Sequence, residues 1–112
     1  MAKELFIDGV PELLLLRLLS RREMYGYELV GEIHSCSKGT FSFGEGCVYP
    51  ILHRLVADRC LGMRKESVSG RPRRYYRLTP KGKKRLSQLE QSWNNVAEGI
   101  YGFGKEGGNA TA

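Results

Sequence analysis

Cysteine and histidine are scarce in this chain of 112 residues. The three cysteines, Cys36, Cys47 and Cys60, are odd in number and show no CxxC spacing. Neither a disulfide framework nor a zinc site is therefore predicted, and a reducing compartment, the cytoplasm, is expected. His34 and His53 have no nucleophile and carboxylate at a useful spacing, and no glycine-rich phosphate loop opens a helix. The sequence thus predicts no enzymatic activity, no metal and no cofactor.

Long apolar runs are also absent from the sequence. The leucine-rich stretch between Leu13 and Leu19 is interrupted by Arg17 and is far too short to cross a bilayer. Glu4 and Asp8 precede it, which argues against a signal peptide. We therefore expect no membrane as a partner.

The same leucine-rich stretch predicts the first helix. Pro11 and Glu12 fall in its first turn, where proline is harmless and an acid suits the helix dipole. The leucines cover most of the helix circumference, more than one small domain is expected to bury alone. We therefore expect a partner subunit to cover the excess, with Leu15 in the interface.

Positive charge is concentrated in one part of the chain. The net charge is +6, and the segment from Arg64 to Arg85 holds ten Lys or Arg and one acid, Glu66, so it carries +9 while the remainder carries −3. Such a cluster attracts a polyanion and releases its counterions on binding. A solvated charged face is the commoner meaning of a charge run, but arginines gathered at one turn favour nucleic acid.

A helix precedes this basic segment. Val48, Leu52, Leu55 and Val56 recur at helical spacing and form one buried stripe, whereas Tyr49, His53 and Ala57 lie on another face. Proline is tolerated in the first turn of a helix, so Pro50 predicts that this helix begins near Glu45 or Gly46.

The basic segment itself reads as a hairpin, here called the wing. Leu61 to Val68 and Arg73 to Leu78 carry β-type residues and are separated by the turn signal Ser69-Gly70-Arg71-Pro72. A helix with a free polar face fits the major groove of DNA, and arginines at a hairpin tip suit the narrow minor groove. The fold class is therefore mainly α with a small β-hairpin, a winged helix-turn-helix.

An earlier helix completes the motif. Met24-Tyr25-Gly26-Tyr27-Glu28-Leu29 is expected to open it, with Leu29, Ile33 and either Val30 or Cys36 facing inward. Lys38 to Gly44 connects it to the helix that would contact DNA, so helix, turn, helix and wing occur in the required order.

The last helix has two distinct halves. Thr79 is a good N-cap with Pro80 at the first helical position. The cations Lys81, Lys83, Lys84 and Arg85 oppose the macrodipole in the first turns, and tolerance of this cost indicates that they contact phosphate. Farther along, apolar residues spaced 3, 4, 3, 4 and 3 form a heptad seam that predicts pairing between helices. These residues are Leu86, Leu89, Trp93, Val96, Ile100 and Phe103.

Three segments together resemble a known family. MYGYEL (Met24 to Leu29), EGCVYPILHRL (Glu45 to Leu55) and GRPRRYYRLT (Gly70 to Thr79, followed by Gly82) closely resemble the PadR family of transcriptional regulators. In combination and in this order they are specific, although each alone is weak. The short C-terminal helix resembles the compact subfamily that includes multidrug-sensing repressors. The resemblance implies a homodimer that binds a palindromic operator in double-stranded DNA, usually to repress nearby genes.

The resemblance also assigns residues. It implies phosphate contacts by Tyr25 and Tyr49, DNA contacts by the wing from Arg71 to Arg74, and a tryptophan, Trp93, that stacks on planar aromatic effectors across the dimer axis. Two departures stand out. Gly44 and Cys47 replace the usual Ser or Thr, which removes hydroxyls for capping and phosphate contact, and Ala97 replaces an acid that attracts cationic drugs in some members.

The sequence predicts three regions along the chain, a set of DNA contacts and a set of dimer contacts. Residues 1–79 form the DNA-binding domain, 80–104 the C-terminal dimerisation helix and 105–112 a disordered tail. The predicted DNA contacts are Tyr25, Tyr49, His53, Lys65, Arg71, Arg73, Arg74 and Lys81. The predicted dimer interface comprises Leu15, Leu86, Leu89, Trp93, Val96 and Ile100.

Alternatives to these roles are open at this stage. The alternative for Tyr49 is packing against the wing, that for His53 is packing against the first helices, and that for Trp93 is a plain dimer-core residue instead of a ligand platform. The whole protein is alternatively a winged-helix module that binds protein, or a scavenger of small molecules.

Overall fold

The computed structural model describes residues 9–104. The predicted tail, 105–112, lies outside them, as do residues 1–8 of the predicted DNA-binding domain. The elements in chain order are α1 (Val10–Leu19), β1 (Met24–Tyr25), α2 (Gly26–Cys36), α3 (Glu45–Ala57), β2 (Leu61–Val68), β3 (Arg71–Leu78) and α4 (Pro80–Tyr101). Helix, turn, helix and hairpin follow one another as in a winged helix-turn-helix, which confirms the predicted fold class.

The core lies where α1, α2 and α3 meet. Leu15 and Leu16 of α1 are fully buried, together with Leu29 of α2 and with Val48 and Leu52 of α3. The remaining leucines of α1 are also buried or half-buried within the single chain. The expectation that a partner must cover the excess leucines is therefore wrong, because α2, α3, α4 and strand β3 all pack against α1. Leu15 in particular has no exposed surface with which to contact a partner.

The sheet has the strand order β1-β3-β2, with both pairings antiparallel. Met24 pairs with Tyr76 and Tyr25 with Tyr75, so Met24 and Tyr25 form a strand. The prediction that they open the second helix is wrong, because that helix begins at Gly26. Met24 and Tyr76 are buried against the helices. This short strand thus attaches the wing to the helix-turn-helix.

The turn of the wing is tighter than expected. Ser69 and Gly70 both have positive φ angles, 54° and 78°, which is typical of the two-residue turns that join antiparallel strands. Arg71 and Pro72 therefore belong to β3, opposite Val68 and Ser67. The four-residue turn expected from the sequence is wrong, and both wing strands are eight residues long.

Helix α3, here called the recognition helix, begins at Glu45 as expected. Its inward residues are Val48, Leu52 and Leu55, whereas Val56 is only half-buried. Pro50 is the sixth residue of the helix and not part of its first turn. The recognition helix therefore lacks the hydrogen bond that residue 50 would otherwise donate to the carbonyl of residue 46.

Helix α4 starts as predicted. The Gly82 amide donates to the Thr79 hydroxyl at 3.0 Å, and that hydroxyl donates to the carbonyl of Cys60 at 2.9 Å. Leu86 is buried against the core, whereas most of the apolar side chains in the far half of α4 are exposed. The exposed fractions there are 43% for Trp93, 51% for Val96, 60% for Ile100 and 77% for Phe103. None of the helices in the described part of the chain is long and apolar enough to span a membrane.

Candidate nucleic-acid interface

An open cleft of about 540 Å³ lies between the recognition helix and the wing. It is lined by aromatic and basic side chains and includes six of the eight predicted DNA contacts. Its lining residues are Tyr25, Gly26, Tyr27, Tyr49, His53, Arg71, Pro72, Arg73, Arg74 and Tyr76.

The shortness of β1 creates this cleft. Strand β1 pairs with only Tyr75 and Tyr76 of β3, so the wing-tip half of β3 has no strand neighbour on that side. The recognition helix faces the wing-tip half of β3 from the opposite side of the cleft. Tyr49 and His53 lie one helical turn apart and both line the cleft, Tyr49 half-buried and His53 exposed. The result is a groove with one helical wall and one arginine-bearing wall.

Tyr49 is held against the start of α2. A side chain at Gly26 would collide with the Tyr49 ring and would place a Cβ atom 3.1 Å from its hydroxyl, so the glycine backbone packs directly on the aromatic ring. Burial, with the nearby Glu45 charge adding to it, raises the pKa of the Tyr49 hydroxyl above 10.0. The phenol is therefore neutral at physiological pH and is able to donate a hydrogen bond to a phosphate oxygen.

The arginines of the wing tip differ from most other arginines of the described chain in having no ion pair with a carboxylate. Ion pairs with carboxylates within 4.0 Å are made by Arg17, Arg22, Arg54, Arg64 and Arg85. Within residues 9–104, no such pair is found for the arginines of the wing tip, which are Arg71, Arg73 and Arg74. These three charges are available to a polyanion that enters the cleft.

Lys65 adds to this excess from the neighbouring strand. It is exposed and lies directly opposite Arg74 in the sheet register. Like charges directly opposite each other destabilise a sheet. This pair of cations therefore costs folding free energy in the free protein.

Lys81 lies apart from the other predicted contacts. It lines a second cleft, of about 490 Å³, between the end of the recognition helix and the start of α4, together with Arg54, Lys84 and Arg85. Glu12 and Asp58 partly balance the positive charge there. The structure therefore does not bring Lys81 into the cleft beside the wing.

Sequence reasoning missed one prominent residue of the cleft. Tyr27 is 63% exposed and lines the cleft beside Tyr25 and Tyr49. An exposed tyrosine in the first turn of α2 was a usable signal, because its neighbours Leu29 and Ile33 already account for the buried side of that helix.

The remaining predicted residues lie at the other end of the molecule. Trp93 and Val96 line a shallow depression of about 250 Å³ between α4 and the start of α1, where Val10, Leu13 and Leu89 also contribute. Leu86 is already mostly buried in the single chain. In the part of the chain that the structure describes, no group of three or more His, Cys, Asp or Glu side chains is placed to hold a metal ion.

Comparison with known proteins identifies the family. The model of the PadR-like family of transcriptional regulators matches residues 15–88. An uncharacterised protein of Lysinibacillus sphaericus is 33% identical over 99 residues, which cover 88% of this chain and 91% of that one. A transcriptional regulator of Mycobacterium tuberculosis is 35% identical over 80 residues, covering 71% of this chain and 72% of that regulator.

Solved structures of regulators share the fold. A transcriptional regulator from Clostridium thermocellum superposes with a TM-score of 0.81 at 27% identity, over 88% of this chain and 97% of that one. A PadR-like regulator from Bacillus cereus gives a TM-score of 0.75 at 30% identity, over 89% and 96% of the two chains. The chain therefore belongs to the PadR-like family of transcriptional regulators, which bind DNA and are not enzymes.

Proposed function

We propose that the protein is a homodimeric, ligand-responsive repressor that binds a palindromic operator through two copies of the cleft beside the wing. Such a role places it in the cytoplasm with the chromosome. The single observation that carries the proposal is the convergence of Arg71, Arg73 and Arg74, which have no acidic partner within residues 9–104, on the cleft beside the recognition helix.

Each wall of the cleft has a part in binding. The recognition helix enters the major groove, so His53 faces base edges and Tyr49 donates to a phosphate at the groove margin. Tyr25 faces the same strand of phosphates from the start of α2. The wing arginines follow the backbone into the adjacent minor groove, whose negative potential attracts guanidinium groups, and Lys65 adds a phosphate contact.

The apolar face of α4 supports pairing of two chains. Trp93, Val96 and Ile100 are exposed on one side of this helix, and a symmetric contact would bury the same patch on both subunits. A dimer of helix-turn-helix units reads two half-sites about 34–36 Å apart. This geometry is the reason for proposing a palindromic operator.

An effector that binds at the dimer contact would reach both recognition helices. The exposed face of Trp93, beside an apolar depression, suits a planar aromatic molecule that stacks on an indole. Because α4 follows the wing directly, a ligand that shifts the two α4 helices changes the distance between the two recognition helices of the dimer. Loss of operator binding then relieves repression.

The DNA-binding part is tested with the protein's own upstream region. Wild-type protein should give a salt-sensitive shift in fluorescence anisotropy, and Arg71→Gln and Arg74→Gln should each weaken binding and reduce the salt slope by about one. Arg17→Gln, which removes the same charge from α1, is the matched control and should keep the slope. Absence of a salt-dependent shift at micromolar protein would refute the function.

The ligand part uses a natural probe, because Trp93 is the single tryptophan of the sequence. Planar aromatic dyes should quench its emission and release bound operator at the same concentrations. Trp93→Leu should remain bound to the operator in the presence of the dye. Quenching without any change in DNA affinity would show that the depression binds ligands without regulating the protein.

A further inference from the structure

The geometry points to Glu23 and Arg64 as positioning residues for DNA binding, which act by holding Arg73 at the edge of the cleft. This inference rests on the proposed function, because it holds that Glu23 and Arg64 position Arg73 for contact with DNA. Neither Glu23 nor Arg64 lines the cleft.

The sheet register aligns the side chains involved. Arg64 of β2 is the partner of Tyr75 of β3, and Tyr75 is the partner of Tyr25 of β1. Directly paired residues point to the same face of a sheet, and so do residues two apart on one strand. Arg73 therefore lies on the same face of the sheet as Tyr75, two residues closer to the wing tip.

These four side chains form a continuous stack. The Arg64 guanidinium lies 4.5 Å from the centre of the Tyr75 ring. The rings of Tyr75 and Tyr25 meet edge to face at 5.6 Å, and the Arg73 guanidinium lies 4.3 Å from the centre of the Tyr25 ring. A cation stacked on an aromatic face is attracted by the ring quadrupole, so Arg73 has a defined resting place beside the cleft.

Glu23 fixes the outer end of this stack. The Arg64 side chain crosses above Tyr75 and donates from Nε and Nη2 to the two carboxylate oxygens of Glu23, at 2.9 and 2.8 Å. Such a two-pronged contact sets orientation as well as distance. It joins β2 to the residue before β1, across the intervening strand. Strand β1 itself contributes only two residue pairs to the attachment of the wing.

Glu23 offers a test whose sign separates positioning from simple electrostatics. Removing an acid near a DNA-binding surface strengthens binding if charge alone matters. Positioning predicts the opposite: Glu23→Gln should weaken operator binding about 5- to 20-fold, in keeping with a coupling between contacting residues. Glu90→Gln is the matched control, since it removes the same charge from an acid that also pairs with an arginine, Arg17, but lies away from Arg64 and Arg73. It should bind at least as tightly as the wild type.

A double-mutant comparison shows whether the effect passes through Arg73. Glu23→Gln should have no further effect in the Arg73→Gln background and its full effect in the Arg74→Gln background. Arg64→Lys keeps the net charge but loses the two-pronged geometry, so it should also weaken binding. Thermal unfolding followed by circular dichroism confirms that each variant is folded.

The outcomes separate the inference from the proposed function. Equal losses in both backgrounds, equal losses for Glu23→Gln and Glu90→Gln, or tighter binding by Glu23→Gln would each overturn the positioning role while leaving the repressor intact. Absence of operator binding by the wild type would instead overturn the proposed function.

Discussion

Glu12 is a buried carboxylate held by two arginines from distant parts of the chain. Its side chain is 6% exposed, and it accepts hydrogen bonds from Arg54 of the recognition helix at 3.1 Å and from Arg85 of α4 at 2.8 Å. Glu12 therefore joins α1 to the recognition helix and to α4. Burial by itself raises the pKa of this carboxyl, but the hydrogen bonds from Arg85 and Arg54 outweigh burial and hold the pKa below its ordinary value of 4.5.

Replacing Glu12 should reduce stability in a pH-dependent way. A group whose pKa is lowered by folding contributes stability above its unfolded pKa, and this contribution is lost as the pH falls through the folded pKa. At pH 7, Glu12→Gln should lower the free energy of unfolding by about 1.5–3 kcal/mol, the range for hydrogen bonds to charged groups. Below the ordinary pKa of 4.5, the difference from the wild type should shrink. Urea denaturation at several pH values measures both effects.

Glu90→Gln provides the matched control for this prediction. Glu90 also pairs with an arginine, Arg17, but both side chains are exposed, and exposed pairs contribute about 0–1 kcal/mol. A loss for Glu90→Gln as large as that for Glu12→Gln, or a difference for Glu12→Gln that persists unchanged at low pH, would contradict the role given to burial.

Single residues were predictable where their cause is local. Thr79 was identified as an N-cap because its partner amide lies three residues away. Glu12 was interpreted only as an acid near a helix N-terminus, because its partners lie 42 and 73 residues farther along the chain. Leu15 was assigned to a partner surface because the sequence does not show how many neighbours α1 has. Contacts between distant segments decide such roles, and periodicity does not report them.

At the scale of the element, the end of the recognition helix has an unusual residue. The Arg59 amide donates to the carbonyl of Val56 and the Cys60 amide to that of Leu55, both at 2.9 Å, which is the bonding pattern of a Schellman motif. The residue in the left-handed conformation is Arg59, with a φ of 66°, where glycine is usual. The helix stop is therefore strained at one position.

Arg59→Gly should consequently stabilise the fold. Relief of the left-handed strain offsets the greater freedom of glycine in the unfolded chain, for a net gain of up to about 1 kcal/mol in unfolding free energy. Arg59→Ala removes the same side chain but keeps the strain, so it should give no gain. Thermal unfolding of the two variants compares them directly, and equal stabilisation by both would assign the effect to the arginine charge.

The wing combines a stability cost with a binding gain at Lys65. Lys65→Glu converts the like-charged pair with Arg74 into an attractive one, so the free energy of unfolding should rise by about 0.2–1 kcal/mol. The same change should weaken operator binding and reduce its salt slope. Lys65→Gln should give intermediate values. Lower stability, or unchanged DNA affinity, would show that these two cations neither repel each other nor face phosphate.

Prediction of the elements succeeded in proportion to their length. The recognition helix and the wing strands carry enough periodic residues for their positions to be inferred, whereas β1 has two residues and no period of its own. Met24 and Tyr25 form a strand only because Tyr76 and Tyr75 are in reach. The cleft depends on this short strand. Individual lining residues could therefore be predicted from the sequence, but the existence and form of the cleft could not.

At the scale of the whole molecule, the two ends differ in character. The wing tip carries arginines without acidic partners within residues 9–104, and the far half of α4 carries exposed apolar side chains. Aromatic and aliphatic residues exposed in a contiguous patch mark a site of association. Together, the two ends support a molecule that pairs through α4 and presents two wings to one duplex.

Ile100→Glu should separate the two chains of this dimer. Ile100 is largely exposed in the single chain, so the substitution leaves the core intact, but it places two carboxylates in an apolar contact where their desolvation is unfavourable. Light scattering should show a dimer for the wild type and a monomer for the variant at micromolar concentration. The variant's far-UV circular dichroism should remain unchanged, and its operator affinity should fall because paired half-site binding is lost. Gln91→Glu, on the opposite side of α4, adds the same charge and should remain dimeric. A wild-type monomer, or an Ile100→Glu dimer that still binds the operator, would show that α4 does not carry the pairing on which the two-cleft arrangement depends.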